Sequence, residues 1–357
     1  MILTIHRGTR QIGGSCVELE SDDGARILLD VGMPLTRPDG SDWPRGKMTR
    51  PAKELRSEGI LPDIDGLYTG AEPRYRALFI SHAHLDHHGL AHHVHPGVPV
   101  YASRGTIEML KASRLFVPDA AIPVSLRELP VGTAVKTGAF TVSGIPVDHA
   151  APDSRALLVE ADGQRVLYSG DLRAHGRQRH LFGALPSAAG PVDVLVLEGT
   201  TVGQSLGAHG LVDEESVERQ LTKLCRQSDQ LIVVVASGQN VDRAISVHRA
   251  ARATGRALVI DPYQAYVLMV LRDVCPDAPQ YDSPSVRVKF VRSHVRSLIA
   301  AGLWPLACQM SRAAKVEAKN LAAEPARFIC LTRSSGATVA RFFASRSEEH
   351  TSELQSH

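Results

Sequence analysis

The sequence SHAHLDHHG occupies residues Ser81–Gly89 and directly follows a short apolar run that predicts a β-strand. His82 and His84 are two positions apart, so in extended backbone their imidazole rings point to the same side. Asp86 and His87 follow at the predicted start of a helix, where the chain turns and can direct a second pair of side chains to a neighbouring point. Imidazole nitrogens and carboxylate oxygens are ligands that zinc prefers where cysteine is absent. The segment therefore predicts a metal site, against the alternative of a solvated histidine-rich loop.

Three more side chains suited to a metal site stand near the ends of predicted strands. Asp30 ends the buried run RILLD, His149 lies in IPVDHA, and Asp171 lies in LYSGDLR. Taken alone each is ordinary, because an aspartate at the end of a strand usually caps a turn. Together with the histidine segment they form four motifs in one order. The neighbouring histidines, such as His88, match no ligand position and are expected mostly at the surface.

This order of motifs resembles the metallo-β-lactamase superfamily, whose signature is H-x-H-x-D-H after an apolar strand. The resemblance implies an α/β fold, with two sheets between helical layers (an αββα sandwich). It also implies two divalent metal ions, with Zn²⁺ expected and Mn²⁺ as an alternative, and a hydroxide nucleophile. Asp30 would orient the histidine segment, and Asp86 would also hold the nucleophile in line. The implied ligands are His82, His84 and His149 for one ion and Asp86, His87 and Asp171 for the other, with Asp171 shared.

Glu198, at the end of VDVLVLEGTT, distinguishes branches of this superfamily. It resembles motif A of the β-CASP branch, whose members process RNA or DNA, and we expect it to serve catalysis with Asp30 and Asp86. The alternative is a cap beside the following threonines. Predicted helices and strands then alternate, which indicates a parallel, doubly wound sheet. This part resembles the inserted β-CASP domain of ribonuclease J-type proteins, so we expect a metallo-β-lactamase domain over residues 1–200 and a β-CASP-type domain over 201–345.

The superfamily's fifth motif, a late histidine, has no match in this sequence. His248 lies in a predicted helix, and His294 lacks the expected glycine and small neighbours. The last residues, RSEEHTSELQSH (346–357), match the translation of a sequencing adapter in one frame, so we expect them not to be native. The β-CASP-type domain is then expected to be incomplete, and the second ion to be held more weakly than the first.

Composition and cysteine usage bear on the compartment. Apolar residues make up 43% and charged residues 22% of the chain, as in globular proteins. The five cysteines are scattered without C-x-x-C spacing, which argues against a disulfide framework and favours a reducing cytoplasm. The sequence shows no signal peptide and no apolar run long enough to span a membrane. We therefore expect a cytoplasmic protein with no membrane partner, and leave homo-oligomerisation open.

The expected partner is RNA, with DNA as an alternative. The formal net charge of +2 is too small to identify a polyanionic partner by itself. The segment after Asp171, RAHGRQRH, supplies Arg173, Arg177 and Arg179, which would contact phosphates beside the metal ligands. The alternative for these arginines is a solvated face of the protein.

The sequence therefore predicts a metallo-hydrolase, most specifically a nuclease that cleaves RNA phosphodiester bonds. A small-molecule hydrolase of the same fold, acting on a thioester or lactone, is one alternative; such proteins usually lack the long helix–strand insert. A non-catalytic scaffold that binds RNA is the other. The ligands present through the fourth motif argue against that scaffold, whereas the missing fifth motif would argue for it if the terminus were native.

Overall fold

A computed structural model describes residues 1–9, 11, 13–44, 46–118, 120–200, 202 and 212–333. The chain divides into two compact units, the first formed by Met1–Ala174 with Gln178–Ser205 and the second by His175–Arg177 with Leu206–His357. The predicted tail at 346–357 lies outside the described residues. The domain assignments made from the sequence stay predictions.

The first unit contains a six-stranded mixed sheet. Its first three strands pair antiparallel and the remaining pairs are parallel, in the order β1-β2-β3-β4-β5-β6. The strands are β1 (Ile2–Arg7), β2 (Cys16–Glu20), β3 (Arg26–Leu29), β4 (Ala77–Phe79), β5 (Val100–Ala102) and β6 (Leu126–Glu128). The helices between them are α1 (Ala52–Ser57), α2 (Leu85–His88) and α3 (Arg104–Phe116), with 3₁₀ turns at Lys47–Thr49 and Ala91–His93.

The second sheet of this unit has five strands in the order β11-β10-β9-β8-β7. All neighbours pair antiparallel except β10 and β11, which are parallel. The strands are β7 (Val135–Thr137), β8 (Phe140–Pro146), β9 (Arg155–Ala161), β10 (Gln164–Tyr168) and β11 (Val194–Val196), and helix α4 (His180–Ala189) lies between the last two along the chain.

The two sheets pack face to face, with helices on their outer faces. Side chains alternate along each strand, so Ile27 and Leu29 enter the core between the sheets while Leu28 faces the other way. That inner core also holds Phe79 of β4 and Phe140 of β8. The outer face of the first sheet packs on α1 and α3, and that of the second sheet on α4. This arrangement confirms the predicted α/β sandwich.

The second unit is built on a four-stranded sheet in the order β12-β15-β13-β14, with every pair parallel. The parallel sheet predicted from the helix–strand alternation is confirmed. Its strands are β12 (Ile232–Val235), β13 (Ala257–Ile260), β14 (Val286–Val288) and β15 (Phe328–Thr332). Its helices are α5 (Glu214–Gln227), α6 (Val241–Ala253), α7 (Pro262–Val270), α8 (Arg292–Ala300), α9 (Trp304–Ala314) and α10 (Ala318–Ala323), followed by a 3₁₀ turn at Pro325–Arg327.

Two helical segments contain or precede residues that disfavour helix. The chain after α2 forms only the 3₁₀ turn Ala91–His93, because Pro96 and Gly97 follow and cannot extend it well. Helix α4 has no sequence prediction, since Gly183 and Pro186 lie inside it and both disfavour helix. Across the described residues, no helix combines the length and apolar character that a membrane span requires.

Candidate metal centre

The topology of the two sheets brings the predicted ligands to one edge of the sandwich. The histidine segment follows β4, whereas His149 follows β8 and Asp171 follows β10. Strands β8 and β10 both run antiparallel to β9, so their carboxyl ends lie at the same edge. Segments far apart in sequence therefore deliver side chains to one place.

Backbone contacts hold the histidine segment against the loop after β3. Asp86 accepts a hydrogen bond from Ser15 N (3.0 Å), and His87 accepts one from Val31 N (3.0 Å) through its carbonyl. Gly32 is required at this contact, because a Cβ at that position would overlap the carbonyl group of Asp86. The segment is thus fixed by main chain as well as by side chains.

The six predicted ligands form two overlapping groups. The ligand atoms within each group lie no more than 4.8 Å apart. Asp171 is close to three imidazoles: Oδ1 is 3.1 Å from His87 Nε2, and Oδ2 is 3.8 Å from both His82 Nε2 and His149 Nε2. The groups are His82, His84, His149 and Asp171, and His82, Asp86 and His87.

Two features of this cluster fit a bound cation. His82 is fully buried, yet within the described chain its Nε2 has no hydrogen-bond partner. His149 Nε2 and His84 Nδ1 face each other at 2.9 Å. Buried ring nitrogens without a protein partner are costly unless a ligand satisfies them. The donor set of imidazoles and carboxylates suits a divalent metal ion, and the cluster and the fold together indicate divalent-metal binding.

Electrostatics prepare these side chains for a cation. Burial lowers the pKa of His82 and His84, and it lowers the pKa of His149 to about 3, so these rings are neutral at pH 7. Burial raises the pKa of Asp171, but hydrogen bonding and charge from His87 outweigh it and leave that pKa below its usual value. Neutral imidazoles and an ionised carboxylate are the forms that bind metal.

Asp30 is the hydrogen-bonding centre behind the ligands. It is fully buried and has a left-handed backbone (φ 59°), which aspartate tolerates better than most residues. Oδ1 accepts from Ser81 N, and Oδ2 accepts from Ser81 Oγ, His87 Nδ1 and Tyr168 OH, each at 2.7 Å. The contact of Nδ1 with Asp30 turns Nε2 of His87 toward the cluster, where it lies 3.1 Å from Asp171 Oδ1.

Tyr168 was not identified from the sequence. It is the last residue of β10 and is buried. Its hydroxyl reaches Asp30 from the opposite sheet, across 138 positions of sequence, so no local pattern announces the contact. It lies three residues before Asp171 in the motif LYSGDLR, which is the signal that points to it in retrospect.

Glu198 stands close to the Asp171 segment because β11 runs parallel to β10. Its Oε1 accepts from Leu172 N at 3.4 Å, and its Oε2 accepts from Thr200 N at 3.2 Å. Its own amide donates to Ser169 Oγ at 3.0 Å. These hydrogen bonds fit a cap, which is the alternative that the sequence offers for Glu198. Its catalytic role stays a prediction.

Arg173 is a predicted phosphate contact in the first unit, where its charge acts on two of the predicted ligands. Its backbone amide donates to Asp148 O at 2.8 Å, and its Nε lies 3.4 Å from Asp148 Oδ1. Burial is the main cause of the low pKa of His84 and His149, and the positive charge of Arg173 lowers both further. The guanidinium charge of Arg173 therefore acts on the imidazole rings of the ligand cluster.

Arg177 and Arg179 differ from Arg173 in their surroundings. Arg177 belongs to the second unit, where its Nη2 donates to Glu218 Oε2 (2.5 Å) and Ser246 Oγ (2.9 Å) and its amide donates to Asp242 Oδ2 (3.0 Å). These bonds help to hold that unit together, and the phosphate contact predicted for Arg177 stays a prediction. Arg179 is exposed at the start of α4.

Histidines outside the ligand set are not mainly at the surface. His88 is buried, with burial lowering its pKa to about 4, so the surface expectation was wrong for this residue. Helix α2 is a single turn in which both His87 and His88 face inward. In the second unit, His248 and His294 are also buried, and His248 Nε2 pairs with Ser285 Oγ at 2.8 Å.

Comparison with known proteins agrees with this geometry. Residues 67–234 match the family model described as the β-lactamase superfamily domain. The chain carries a β-lactamase superfamily domain. The matched range contains all the predicted ligands and Glu198. The superfamily predicted from the four motifs is therefore confirmed.

Several relatives of this chain are named ribonuclease J or RNase J-like, and one is named a transcription termination factor. Ribonuclease J of Sinorhizobium meliloti is 30% identical over 250 residues, covering 64% of this chain and 41% of that protein. The RNase J-like protein of Methanocaldococcus jannaschii is 27% identical over 278 residues, covering 74% and 55%. Transcription termination factor FttA of Methanothermobacter thermautotrophicus is 28% identical over 290 residues, covering 74% and 41%. These relatives agree with the predicted ribonuclease J-like, β-CASP branch.

Two further facts bound the comparison. The matched part of this chain spans 41% to 55% of the length of these three relatives. A crystal structure of a protein of unknown function from Enterococcus faecalis V583 has a TM-score of 0.73 and 23% identity, covering 94% of this chain and 77% of that one. At this identity the likeness concerns the fold.

Proposed function

We propose that this chain is a metal-dependent nuclease, or the metal-binding part of one, that hydrolyses phosphodiester bonds of RNA. The observation that carries the proposal is the cluster in which Asp171 stands within 3.8 Å of three imidazole nitrogens. The similarity to proteins named ribonuclease J supports RNA as the substrate. RNA is thus the proposed partner, with DNA as the alternative, and the cytoplasm is the proposed location.

The proposed cofactors are two divalent ions, with zinc as the default and manganese as the alternative. His82, His84 and His149 would hold one ion, Asp86 and His87 the other, and Asp171 would be shared. Bound there, such ions supply Lewis-acid polarisation of a phosphoryl oxygen and lower the pKa of water.

The chain's own residues contribute orientation and charge. Asp30 keeps the proton of His87 on Nδ1, which fixes the direction of the ring. Asp86, whose Oδ2 is 3.9 Å from His87 Nε2, can orient the attacking water by accepting its hydrogen bond. Arg173 offers a cation for a phosphate of the substrate, and Glu198 holds the amide of Leu172 beside Asp171.

The test is cleavage of end-labelled single-stranded RNA and matching DNA with zinc or manganese, with and without chelator. We expect chelator-sensitive cutting of RNA, and its loss in His84→Ala. His180→Ala is the matched control, because His180 is exposed at the start of α4 and lies outside both ligand groups. Its cutting rate should equal that of the unaltered chain.

Two outcomes would overturn this proposal. Steady hydrolysis of a thioester or lactone, without cutting of either nucleic acid, would favour a small-molecule hydrolase. Tight RNA binding with both ions bound and no cutting would favour a scaffold.

A further inference from the structure

The second unit carries a basic groove at one edge of its sheet, which we call the amino-edge groove. Strands β13, β14 and β15 are parallel and begin at Ala257, Val286 and Phe328, so their amino ends lie together. The groove there has a volume of about 530 Å³. Its charged lining residues are Arg252, Arg256, Arg287, Lys315, Glu324 and Arg327.

Cations exceed carboxylates in this lining, and two of them have a carboxylate partner. Arg327 Nη1 donates to both carboxylate oxygens of Glu324 at 2.9 Å. Lys315 Nζ lies 3.3 Å from Oε1 of Glu317, and Lys319 Nζ lies 3.0 Å from Oε2 of the same carboxylate. Within the groove these pairs neutralise part of the charge and leave the other arginines uncompensated.

Three arginines of the groove have no carboxylate partner among the residues that the structure describes. Arg256 is only 5% exposed and donates to the carbonyls of Gln230 (2.9 Å), Phe328 (3.1 Å) and Cys225 (3.1 Å). Within the described residues, the side chain of Arg287 donates to the carbonyls of Pro284 and Val286. Arg252 is exposed, and its side chain makes no hydrogen bond to any described residue. Carbonyls satisfy hydrogen bonds but cancel no net charge.

A purely structural explanation covers part of this pattern. Arg252 lies in the last turn of α6, where a cation offsets the negative end of the helix dipole. Arg256 likewise donates to the carbonyl of Cys225 in the last turn of α5, so this buried cation offsets the end of that helix. Arg287 lies in β14, where the same reason does not apply. The guanidinium groups of Arg252 and Arg287, which no carboxylate compensates within the described residues, line one concavity and form a site for an anion.

We propose that the amino-edge groove binds the phosphodiester backbone of single-stranded RNA as a contact separate from the metal centre. This inference rests on the proposed function, since that function supplies RNA as the polyanion. Arginine forks match phosphate oxygens. The one aromatic residue in the lining, Phe328, is buried, so the contact reads backbone charge without base preference.

The test is RNA binding measured by fluorescence anisotropy in chelator, so that no cutting occurs. In the full chain, Arg252→Gln/Arg287→Gln should raise the Kd for a labelled single-stranded RNA about tenfold at low salt. The slope of log Kd against log salt should fall by about 1.4, which is two phosphate contacts on a single strand. Arg287→Lys, which keeps the charge, should retain most of the affinity.

The charge-matched control is Arg249→Gln/Arg272→Gln in the same unit. Arg249 pairs with Asp277 at 2.8 Å and Arg272 with Asp282 at 3.0 Å, so their charges are already compensated. An equal loss of affinity in both double variants would overturn the proposal, because only net charge would then matter. Stronger competition by polyglutamate than by unlabelled RNA would also overturn it, in favour of an acidic protein partner.

A small substrate separates this inference from the proposed function. Metal-dependent hydrolysis of bis(p-nitrophenyl) phosphate should be unchanged in Arg252→Gln/Arg287→Gln, since that small substrate needs no backbone contact beyond the metal centre. If the hydrolysis is intact and RNA binding is also unchanged, the groove proposal fails alone. If no substrate is hydrolysed but the binding pattern holds, the proposed nuclease fails and the groove proposal stands.

Discussion

Replacing Tyr168 by phenylalanine tests how the hydrogen bonds behind the ligands control metal affinity. The change removes one hydroxyl from the buried carboxylate of Asp30, which also receives bonds from Ser81 and His87. A hydrogen bond to a charged group contributes about 1.5–3 kcal/mol to stability. Loss of a partner one step behind a metal ligand typically weakens metal binding about 10- to 100-fold. Because three donor contacts to Asp30 remain, we expect the lower end, about tenfold weaker zinc binding at the set containing His87.

The assay is zinc affinity by competition with a chromophoric chelator, alongside urea denaturation. Tyr75→Phe is the matched control, because Tyr75 is also buried and its hydroxyl donates to a buried carboxylate, Glu18, at 2.6 Å. It should cost similar stability and leave zinc affinity unchanged. If Tyr168→Phe binds zinc as tightly as Tyr75→Phe, the hydrogen bond to Asp30 does not control the ligand set and the reasoning is wrong.

Three further predictions concern stability, pH and metal content. Gly32→Ala should destabilise the chain by about 3 kcal/mol or more in urea denaturation, because its Cβ would overlap the backbone of Asp86, whereas Gly183→Ala in exposed helix should add about 0.5–1 kcal/mol. The pKa of buried His88, about 4, lies below that of an unfolded histidine, so the unfolded state takes up the proton first; between pH 7 and pH 5 the free energy of unfolding should fall by about 2 kcal/mol less in His88→Gln than in the unaltered chain. Dialysis should leave one ion bound and remove most of the other, since the second set lacks a late histidine; two ions retained in elemental analysis would contradict this.

Much of the candidate site was predictable because its signal is local. Four of the six predicted ligands lie within one segment, where spacing alone places pairs of side chains together. His149 and Asp171 each follow a strand, and the order of the motifs supplied the rest by resemblance. The structure brings all six together. The parallel sheet of the second unit was equally accessible, because helix and strand periods alternate clearly there.

Other features have no local signal. Tyr168 contacts Asp30 only because the two sheets pack, so its place near Asp171 in the sequence draws attention to the residue but does not identify its partner. Arg177 follows Asp171 closely along the chain, yet Ala174 ends a stretch of the first unit and Arg177 already belongs to the second. Proximity in sequence was therefore a poor guide to its partners. The polar side chain of His88 is buried in the single turn of α2. Polarity alone predicts the surface for this side chain.

The hydrogen bonds around Asp30 also bear on the order of folding. Asp30 and Ser81 follow strands of the first sheet, whereas Tyr168 ends a strand of the second. His149 and Asp171 likewise follow strands of the second sheet, so in the proposed assignment each ion takes ligands from both sheets. Zinc capture during refolding should then lag behind the formation of secondary structure and coincide with burial of the inner core. A zinc-sensitive dye added during refolding would report when zinc binds, and therefore when the two sheets pack together.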